Sequence, residues 1–445
     1  MTLPSIKTLD VVLIAALSAG IATYLGCKQP PRYRLLAMGV GLAWLLGLLL
    51  NYWIVESRKL SYTSIDFYAY YIGAVATNRE QSYFQRHIHN RIANEVGIGV
   101  TDTLAYPPTL PLLLRPLIST PPYEASLLWF ALNSAVLVAS LVVIDRVFRL
   151  ERPGLRLACW MIPLLFAPVV LGFYLGQINH FLLFMYSLCL LGIGRNRPIL
   201  TGVSLALPAW IKVFPLASIL YFAWKRQWRI FSSAVLGLLL VGWFTYSGSP
   251  RLTEEYFSTV LPNVMDKPEE GVDHLNLSVS GVVTKILAPT SAKVIPLTRK
   301  PKLAHAVRRA ANLVIVLLTI LGCTRAIRFG GRGTPTDEFI LVLIASLLIL
   351  PRLWDSSLVL LLPAYFWIAK GWGDLPHPTW RDLTIPLTSI SLFGLHRVIW
   401  TLANPDKLPR PWYLLCFPTI GVLLLWGLFV RRCVGGAAKL DTSVM

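Results

Sequence analysis

Apolar residues along the chain gather into runs separated by short polar knots, near 9–26, 35–55, 122–145, 157–174, 179–193, 199–211, 213–224, 230–248, 309–323, 337–350, 356–370, 383–403 and 411–430. Several reach the ~20 apolar residues that a helix needs to cross a bilayer. The pattern predicts an all-α, polytopic transmembrane helical bundle with about 11–13 membrane segments. Two long polar stretches, near 56–121 and 249–308, interrupt it and predict two long extracytoplasmic loops. No repeat of fixed period and no low-complexity tract divides the chain, which reads as a single integral membrane domain over 1–445. Inverted symmetry of the kind found in secondary transporters is not evident.

Composition strengthens this picture. Apolar residues make up 55% of the 445 and charged residues 14%, against roughly 25% charged in soluble domains. That excludes an ordinary soluble enzyme, and the high hydrophobicity excludes disorder. The first run, near Leu9 to Gly26, has no convincing cleavage site after it and reads as a retained helix. The six cysteines lie in or beside apolar runs without a Cys-x-x-Cys pair, supporting neither a disulfide framework nor a zinc site.

Charge sets orientation. Lys+Arg number 41 against 22 Asp+Glu, a net charge of +19. The basic residues sit in short knots between apolar runs, as orientation in a membrane requires, not along one face of a nucleic-acid-binding module. The knots are Lys28/Arg32/Arg34, Arg146/Arg149/Arg152/Arg156, Arg195/Arg197, Lys225/Arg226/Arg229, Arg325/Arg328/Arg332, Lys370/Arg381 and Arg431/Arg432. With all of them cytoplasmic, both long polar stretches fall on the opposite side. The expected location is the cell membrane, crossed many times, with an extracytoplasmic site.

That scheme makes one demand. Arg195/Arg197 and Lys225/Arg226 must share a side, although Pro198–Trp224 would ordinarily form one span. A short hairpin turning near Pro208, Lys212 and Pro215 resolves the conflict, because proline disrupts a continuing helix. Each arm covers about 20 Å at about 1.5 Å per residue, so Lys212 falls within the membrane zone at the tip of the pair. Irregular backbone at that depth is tolerated where protein or a water-filled cavity surrounds it.

Several residues could carry chemistry. Asp66, in Ser64-Ile65-Asp66-Phe67-Tyr68-Ala69-Tyr70-Tyr71, begins a short helix with an aromatic face at the membrane surface. It is either a helix cap or solvated loop carboxylate, or a general base within reach of a lipid headgroup. The proline-dense stretch through Tyr106-Pro107-Pro108, Arg115-Pro116 and Pro121-Pro122 excludes a regular helix and forms a rigid interfacial wall. Gln177 and Asn179 offer donors and acceptors for sugar hydroxyls, or serve a tight turn. His180 reads as structural. Lys212 faces a lipid phosphate or snorkels to the surface. His274 and Asn276 alternate with leucines on an extended segment, and Asn276-Leu277-Ser278 fits a glycosylation acceptor. Arg352 and Asp355 lie at the external end of a late span, where they can pair with each other. His87-x-His89 lacks a third metal ligand.

Taken in order, Asp66-Phe67-x-x-Tyr70-Tyr71, Tyr106-Pro107-Pro108 with Leu114-x-Pro116-Leu117, Leu175-Gly176-Gln177-x-Asn179, and Lys212-x-x-Pro215 with Lys225-Arg226-Gln227-Trp228-Arg229 resemble glycosyltransferase family 87 over about residues 60–365. These are polytopic enzymes of the GT-C class, related to polyprenyl-phosphomannose-dependent α-1,2-mannosyltransferases. The resemblance implies inverting transfer of a sugar, mannose first among candidates, from a polyprenyl-phosphate donor to a lipid-linked or glycan hydroxyl on the non-cytoplasmic face. No metal or other cofactor is expected, and the partners are donor, acceptor and membrane lipids. It puts the base at Asp66, the family's Gln/Asn turn at Gln177 and Asn179, and its lysine at Lys212; read from the residues themselves, Lys212 is the best-placed cation for the donor phosphate, with Arg352 or Arg115 as helpers. Tyr70, Tyr71, Gln177, Asn179, His274, Asn276 and Asp355 become sugar- or acceptor-binding candidates. The chain departs from the family pattern at Leu350-Pro351-Arg352-Leu353-Trp354-Asp355, where a pair of histidines is absent, and at Asn276-Leu277-Ser278, where a glutamine is lost.

The residue types suit that chemistry. Inversion needs one carboxylate for the acceptor proton, and a departing phosphate needs a nearby cation. Two other functions fit the same sequence: a carrier or flippase for a polyprenyl-linked glycan, and a non-catalytic scaffold in glycan assembly.

Overall fold

Every apolar run from residue 122 onward is helical in the computed structural model, which describes residues 65–99, 101, 103–266, 273–328, 334–373, 380–402 and 410–434. The expected spans near 9–26 and 35–55 and the knot Lys28/Arg32/Arg34 lie outside the described residues.

The first polar stretch folds into α1 (Ile65–Asn78), α2 (Arg86–Glu95) and α3 (Thr109–Leu114), followed by a 3-10 turn at Arg115–Ser119. The bundle continues with α4 (Pro122–Phe148), α5 (Pro153–Leu165), α6 (Ala167–Leu175), α7 (Asn179–Gly194), α8 (Pro198–Ile211), α9 (Pro215–Trp224) and α10 (Trp228–Gly248). The second polar stretch holds α11 (Pro250–Glu255), a π-helical turn at Tyr256–Val260, α12 (Leu261–Asp266), a 3-10 turn at Asp273–Leu275 and α13 (Val279–Leu287). Then come α14 (Pro301–Arg328), α15 (Pro335–Leu348), a 3-10 segment at Asp355–Leu361, α16 (Leu362–Gly373), α17 (Trp380–Leu402) and α18 (Phe417–Val434). Strands β1 (Val294–Ile295) and β2 (Arg410–Pro411) make one short parallel pair.

Among the described residues, five stretches are long and apolar enough to cross a membrane: Pro122–Phe148, Pro153–Leu175, Trp228–Gly248, Pro301–Thr324 and Phe417–Val434. On α10, Leu236, Leu239, Leu240 and Trp243 are exposed, as are Leu313, Val314, Leu317 and Leu321 on α14. Apolar side chains exposed in this way suit contact with lipid. The centre of the bundle is α15, buried from Asp337 to Leu348, with the neighbouring run Leu358–Leu362 fully enclosed.

The two ends of the bundle differ in chemistry. At one end Lys225 bonds the Cys323 carbonyl at 2.7 Å and pairs with Glu338 at 2.7 Å. Next to Glu338, Asp337 accepts from Arg432 and from the Trp367 indole, and that ring packs on Phe148 at 5.2 Å. Lys225 just after α9 and Arg432 in the last turn of α18 therefore meet at the end where α15 starts, beside the C-terminal end of α4.

The hairpin expected from the charge pattern is present. Helix α8 stops at Lys212, whose backbone is extended (φ −136°, ψ 136°), and α9 restarts with Pro215 in its first turn. Lys225 at the far end of α9 returns to the start of α15, so Lys212 lies at the opposite end of the bundle from the basic cluster.

Two sequence expectations give way. Helix α1 is not an interfacial helix with an aromatic face at the surface: Phe67 to Thr77 are all buried, with α3, α4 and the Arg115–Ser119 turn packed around them. The proline-dense stretch does contain the short helix α3, with Pro111 in its first turn, where the missing amide proton would have no helical acceptor.

Candidate functional site

The site forms where three segments meet, and its centre is the turn between α6 and α7. Gly176 closes α6 in the left-handed conformation (φ 68°), which a residue without a Cβ adopts freely. The Gln177 amide bonds back to the Gly172 carbonyl at 2.8 Å, and the Trp129 indole donates to the Gly176 carbonyl at 2.7 Å. With its backbone pinned, this buried turn aims Gln177 and Asn179 in fixed directions.

Gln177 reaches Asp66 in the first turn of α1: its Nε2 donates to Asp66 Oδ2 at 2.5 Å. Its Oε1 accepts from the Tyr70 hydroxyl at 3.2 Å and from Asn179 Nδ2 at 3.4 Å. These two donors fix the amide so that its NH2 faces the carboxylate. Tyr70 lies one helical turn below Asp66 on the same face of α1.

Asn179 reaches the other way. Its Oδ1 accepts from Lys212 Nζ at 2.7 Å, and its Nδ2 donates to Ser356 Oγ at 3.0 Å. Lys212 Nζ also lies 3.3 Å from Ser357 Oγ and 5.5 Å from the centre of the Tyr106 ring. A single hydrogen-bonded chain thus runs from Asp66 through Gln177 and Asn179 to Lys212, with Tyr106 along its side.

Electrostatics follow from burial. Burial pulls the Lys212 ammonium down to about 8, and the Asp66 carboxylate works against that shift. Burial raises the Tyr106 hydroxyl, and the charge of Asp66 raises it further. Tyr70 rises for the same reasons, with Tyr106 contributing ahead of Asp66. Both phenols stay protonated and remain donors.

Other candidates are held elsewhere. Arg115 Nη2 donates to the carbonyls of Thr77 at 3.0 Å and Gly248 at 3.1 Å, a cation stapling two helix C-termini. Thr77 is about 16 Å from Asp66 along the axis of α1 at about 1.5 Å per residue. Tyr71 turns to the Thr120 carbonyl at 2.9 Å. Asn276 is a buried clamp: its Nδ2 donates to the Pro351 carbonyl at 2.7 Å, and its Oδ1 accepts from the Leu353 and Ser278 amides, each at 3.0 Å. His274 is buried in the 3-10 turn just before it. Asp355 faces His396 at 3.7 Å, and Arg352 lines a cavity together with Thr103, Leu104 and Glu255.

His180 is packed as a structural residue, stacked on Phe173 at 4.4 Å with Nδ1 at 3.1 Å from Asn133 Oδ1. His89 is likewise enclosed, with Nε2 2.7 Å from Thr101 Oγ1. Among the described residues no group of three or more His, Cys, Asp or Glu comes together as a metal ion requires. Ser356 and Ser357 were missed from the sequence. Their signal is slight, two small hydroxyls directly after a helix-starting Asp355.

Fold and site together define an all-α, multi-pass membrane protein of the GT-C type, with a carboxylate and an ammonium group linked at one end of the bundle. The chain belongs to glycosyltransferase family 87, whose profile matches residues 104–351, more than half its length. It is thus a membrane glycosyltransferase. It is similar to the polyprenol-phosphate-mannose-dependent alpha-(1-2)-phosphatidylinositol mannoside mannosyltransferase of Mycobacterium tuberculosis (strain ATCC 25618 / H37Rv), with 24% identity over 328 residues covering 70% of each chain. No solved structure matches the chain. Gln177, Asn179 and Lys212 fall inside the matched segment, whereas Asp66 and Tyr70 precede it.

Proposed function

We propose that the chain transfers mannose from a polyprenyl-phosphate donor to a hydroxyl of a lipid-linked or glycan acceptor, with inversion, at the non-cytoplasmic face of the cell membrane. The name of the mycobacterial relative supports the donor and the glycolipid nature of the acceptor. The basic knots at the opposite end of the bundle support the sidedness.

In this mechanism the acceptor oxygen attacks the anomeric carbon of the donor sugar. The bond from that carbon to the phosphate oxygen breaks, and its electron pair leaves with the polyprenyl phosphate. Asp66 takes the acceptor proton as general base. Lys212 balances the charge that builds on the departing phosphate, an effect strengthened where water is excluded. Gln177 orients the carboxylate through its Nε2 proton. A single displacement of this kind calls for one carboxylate on the acceptor side, which Asp66 supplies.

The observation carrying the proposal is the turn through Gln177 and Asn179, which bonds Asp66 at one side and Lys212 at the other. The test is to incubate purified protein in vesicles with polyprenyl-phosphate-mannose and a panel of glycolipid acceptors, read by mass spectrometry. A mannosylated acceptor is the expected product. Movement of the donor across the vesicle without a new glycosidic bond would replace this account with the carrier function.

A further inference from the structure

The segment between α13 and α14, together with the first turns of α14, forms a platform rich in cations. Residues 293–309 hold six Lys or Arg, and no Asp or Glu occurs between Asp273 and Asp337. The backbone of this platform is fixed. The Leu297 and Thr298 amides donate to the Ile286 carbonyl at 3.1 and 3.2 Å, the Lys300 amide donates to the Leu287 carbonyl at 2.7 Å, and β1 pairs with β2. Val294 and Ala304 are buried, whereas Arg299, Lys300, Lys302 and Arg309 are exposed. Apolar side chains stand among the cations: Leu297 is 70% exposed, Ile295 48% and Leu303 46%.

Helix α14 sets the depth of the platform. Near its far end the Cys323 carbonyl accepts from Lys225, inside the buried cluster with Glu338. The helix from Pro301 to Cys323 covers about 33 Å at about 1.5 Å per residue, close to the ~30 Å of a hydrocarbon core. Lys302, His305, Arg309, Leu313, Leu317 and Ile320 follow one another at three- and four-residue steps and are all exposed, so they share one face. That stripe is cationic at its start and apolar beyond, with Arg309 one turn from Leu313.

Within the fold these charges are badly placed. Cations are unfavourable at a helix N-terminus, where α14 has Lys302 and no acidic residue in its first turn. Nor do they bias the orientation of the helix, since Arg325 and Arg328 follow its apolar stretch at the other end. Cations beside a span attract anionic headgroups, and apolar side chains between them enter the acyl boundary.

We propose that residues 293–309 are a docking surface for anionic phospholipids of the leaflet at this end of the bundle. Arg299, Lys300, Lys302 and Arg309 engage headgroup phosphates, while Ile295, Leu297 and Leu303 reach the first acyl methylenes. The proposal is independent of the transferase function, because it requires no sugar transfer.

The test uses full-length protein in phosphatidylcholine nanodiscs carrying a small fraction of photoreactive phosphatidylglycerol or photoreactive phosphatidylcholine, identical but for the headgroup. Labelled peptides are mapped by mass spectrometry after illumination. The expected result is about fivefold more labelling of residues 293–309 by phosphatidylglycerol, a preference that shrinks as added salt screens the charges. Arg299→Gln/Lys300→Gln/Lys302→Gln/Arg309→Gln should bring the two lipids within about twofold there, with labelling of the exposed leucines of α10 unchanged. Equal labelling by both lipids in the unaltered protein reduces the surface to apolar contact, and absent labelling turns it toward a partner outside the bilayer; either result overturns the proposal. So does a preference that survives the four substitutions. The salt series on unaltered protein decides the matter if the substituted chain does not fold: a preference indifferent to salt overturns the proposal as well.

Discussion

Asp66 and Lys212 are bonded to side chains two residues apart in one buried turn: Gln177 Nε2 donates to Asp66 Oδ2 at 2.5 Å, and Lys212 Nζ donates to Asn179 Oδ1 at 2.7 Å. The carboxylate comes from the first turn of α1 and the ammonium from the tip of the α8–α9 hairpin. Nothing in covalent order brings them together. The rigid backbone at Gly176 does.

Lys212 gives the protein a pH signature. Burial lowers its ammonium to about 8, so in the free enzyme the cation is lost as pH rises through that value. In the proposed mechanism the charged form holds the donor phosphate, so kcat/KM for the donor should fall by about tenfold for each pH unit above about 8. Lys212→Arg keeps its charge throughout this range and should abolish the alkaline fall. Lys212→Gln should lower kcat by on the order of 10²–10³ at every pH. Initial rates between pH 6 and 10 check all three outcomes.

In the proposed mechanism Gln177 is a positioning residue. Gln177→Ala removes one of the bonds that orient the carboxylate and should cost on the order of 10²-fold in kcat, with little change in donor KM. Gln177→Glu keeps the acceptor used by Tyr70 and Asn179 but sets a second carboxylate beside Asp66. Like charges at that range favour sharing a proton, so this variant should regain activity as pH falls, where Gln177→Ala does not. Paired pH profiles distinguish the two.

The hairpin can be tested through its packing. A Cβ on Gly202 would lie 2.3 Å from the Ile230 carbonyl oxygen and 2.7 Å from the Ala234 nitrogen, both backbone atoms that cannot rotate away. Gly202→Ala should therefore force α8 off α10 and cost about 1–3 kcal/mol. Gly194→Ala, whose Cβ would meet nothing nearer than Val147 at 3.9 Å, serves as control. Thermal unfolding in detergent should show a lower midpoint for the first variant alone.

The membrane architecture was legible in the sequence because it depends on local quantities: run length, hydropathy and basic knots. The break at Lys212 was legible for the same reason, since Pro208 and Pro215 bracket it and Arg197 and Lys225 require the chain to return. The site was legible in part. Asp66, Gln177, Asn179 and Lys212 stood out as polar residues next to apolar runs, but their joining spans up to 111 positions and depends on tertiary packing. Ser356 and Ser357 carry no charge and give no such signal. Arg115 and Asn276 looked like ligands because their side chains are polar, whereas each is engaged by backbone groups that its own fold must satisfy. The burial of α1 was also hidden, since its tyrosines suit a membrane surface and a packed core equally well.

The central claim is that Asp66 and Lys212 flank one sugar phosphate, with Asp66 taking the acceptor proton. Single-turnover mannosyl transfer by Asp66→Asn, with donor binding measured on the same preparation, tests it most directly. The account predicts wild-type donor binding and a transfer rate lower by on the order of 10²–10⁴. Transfer at the wild-type rate by the folded variant would contradict it.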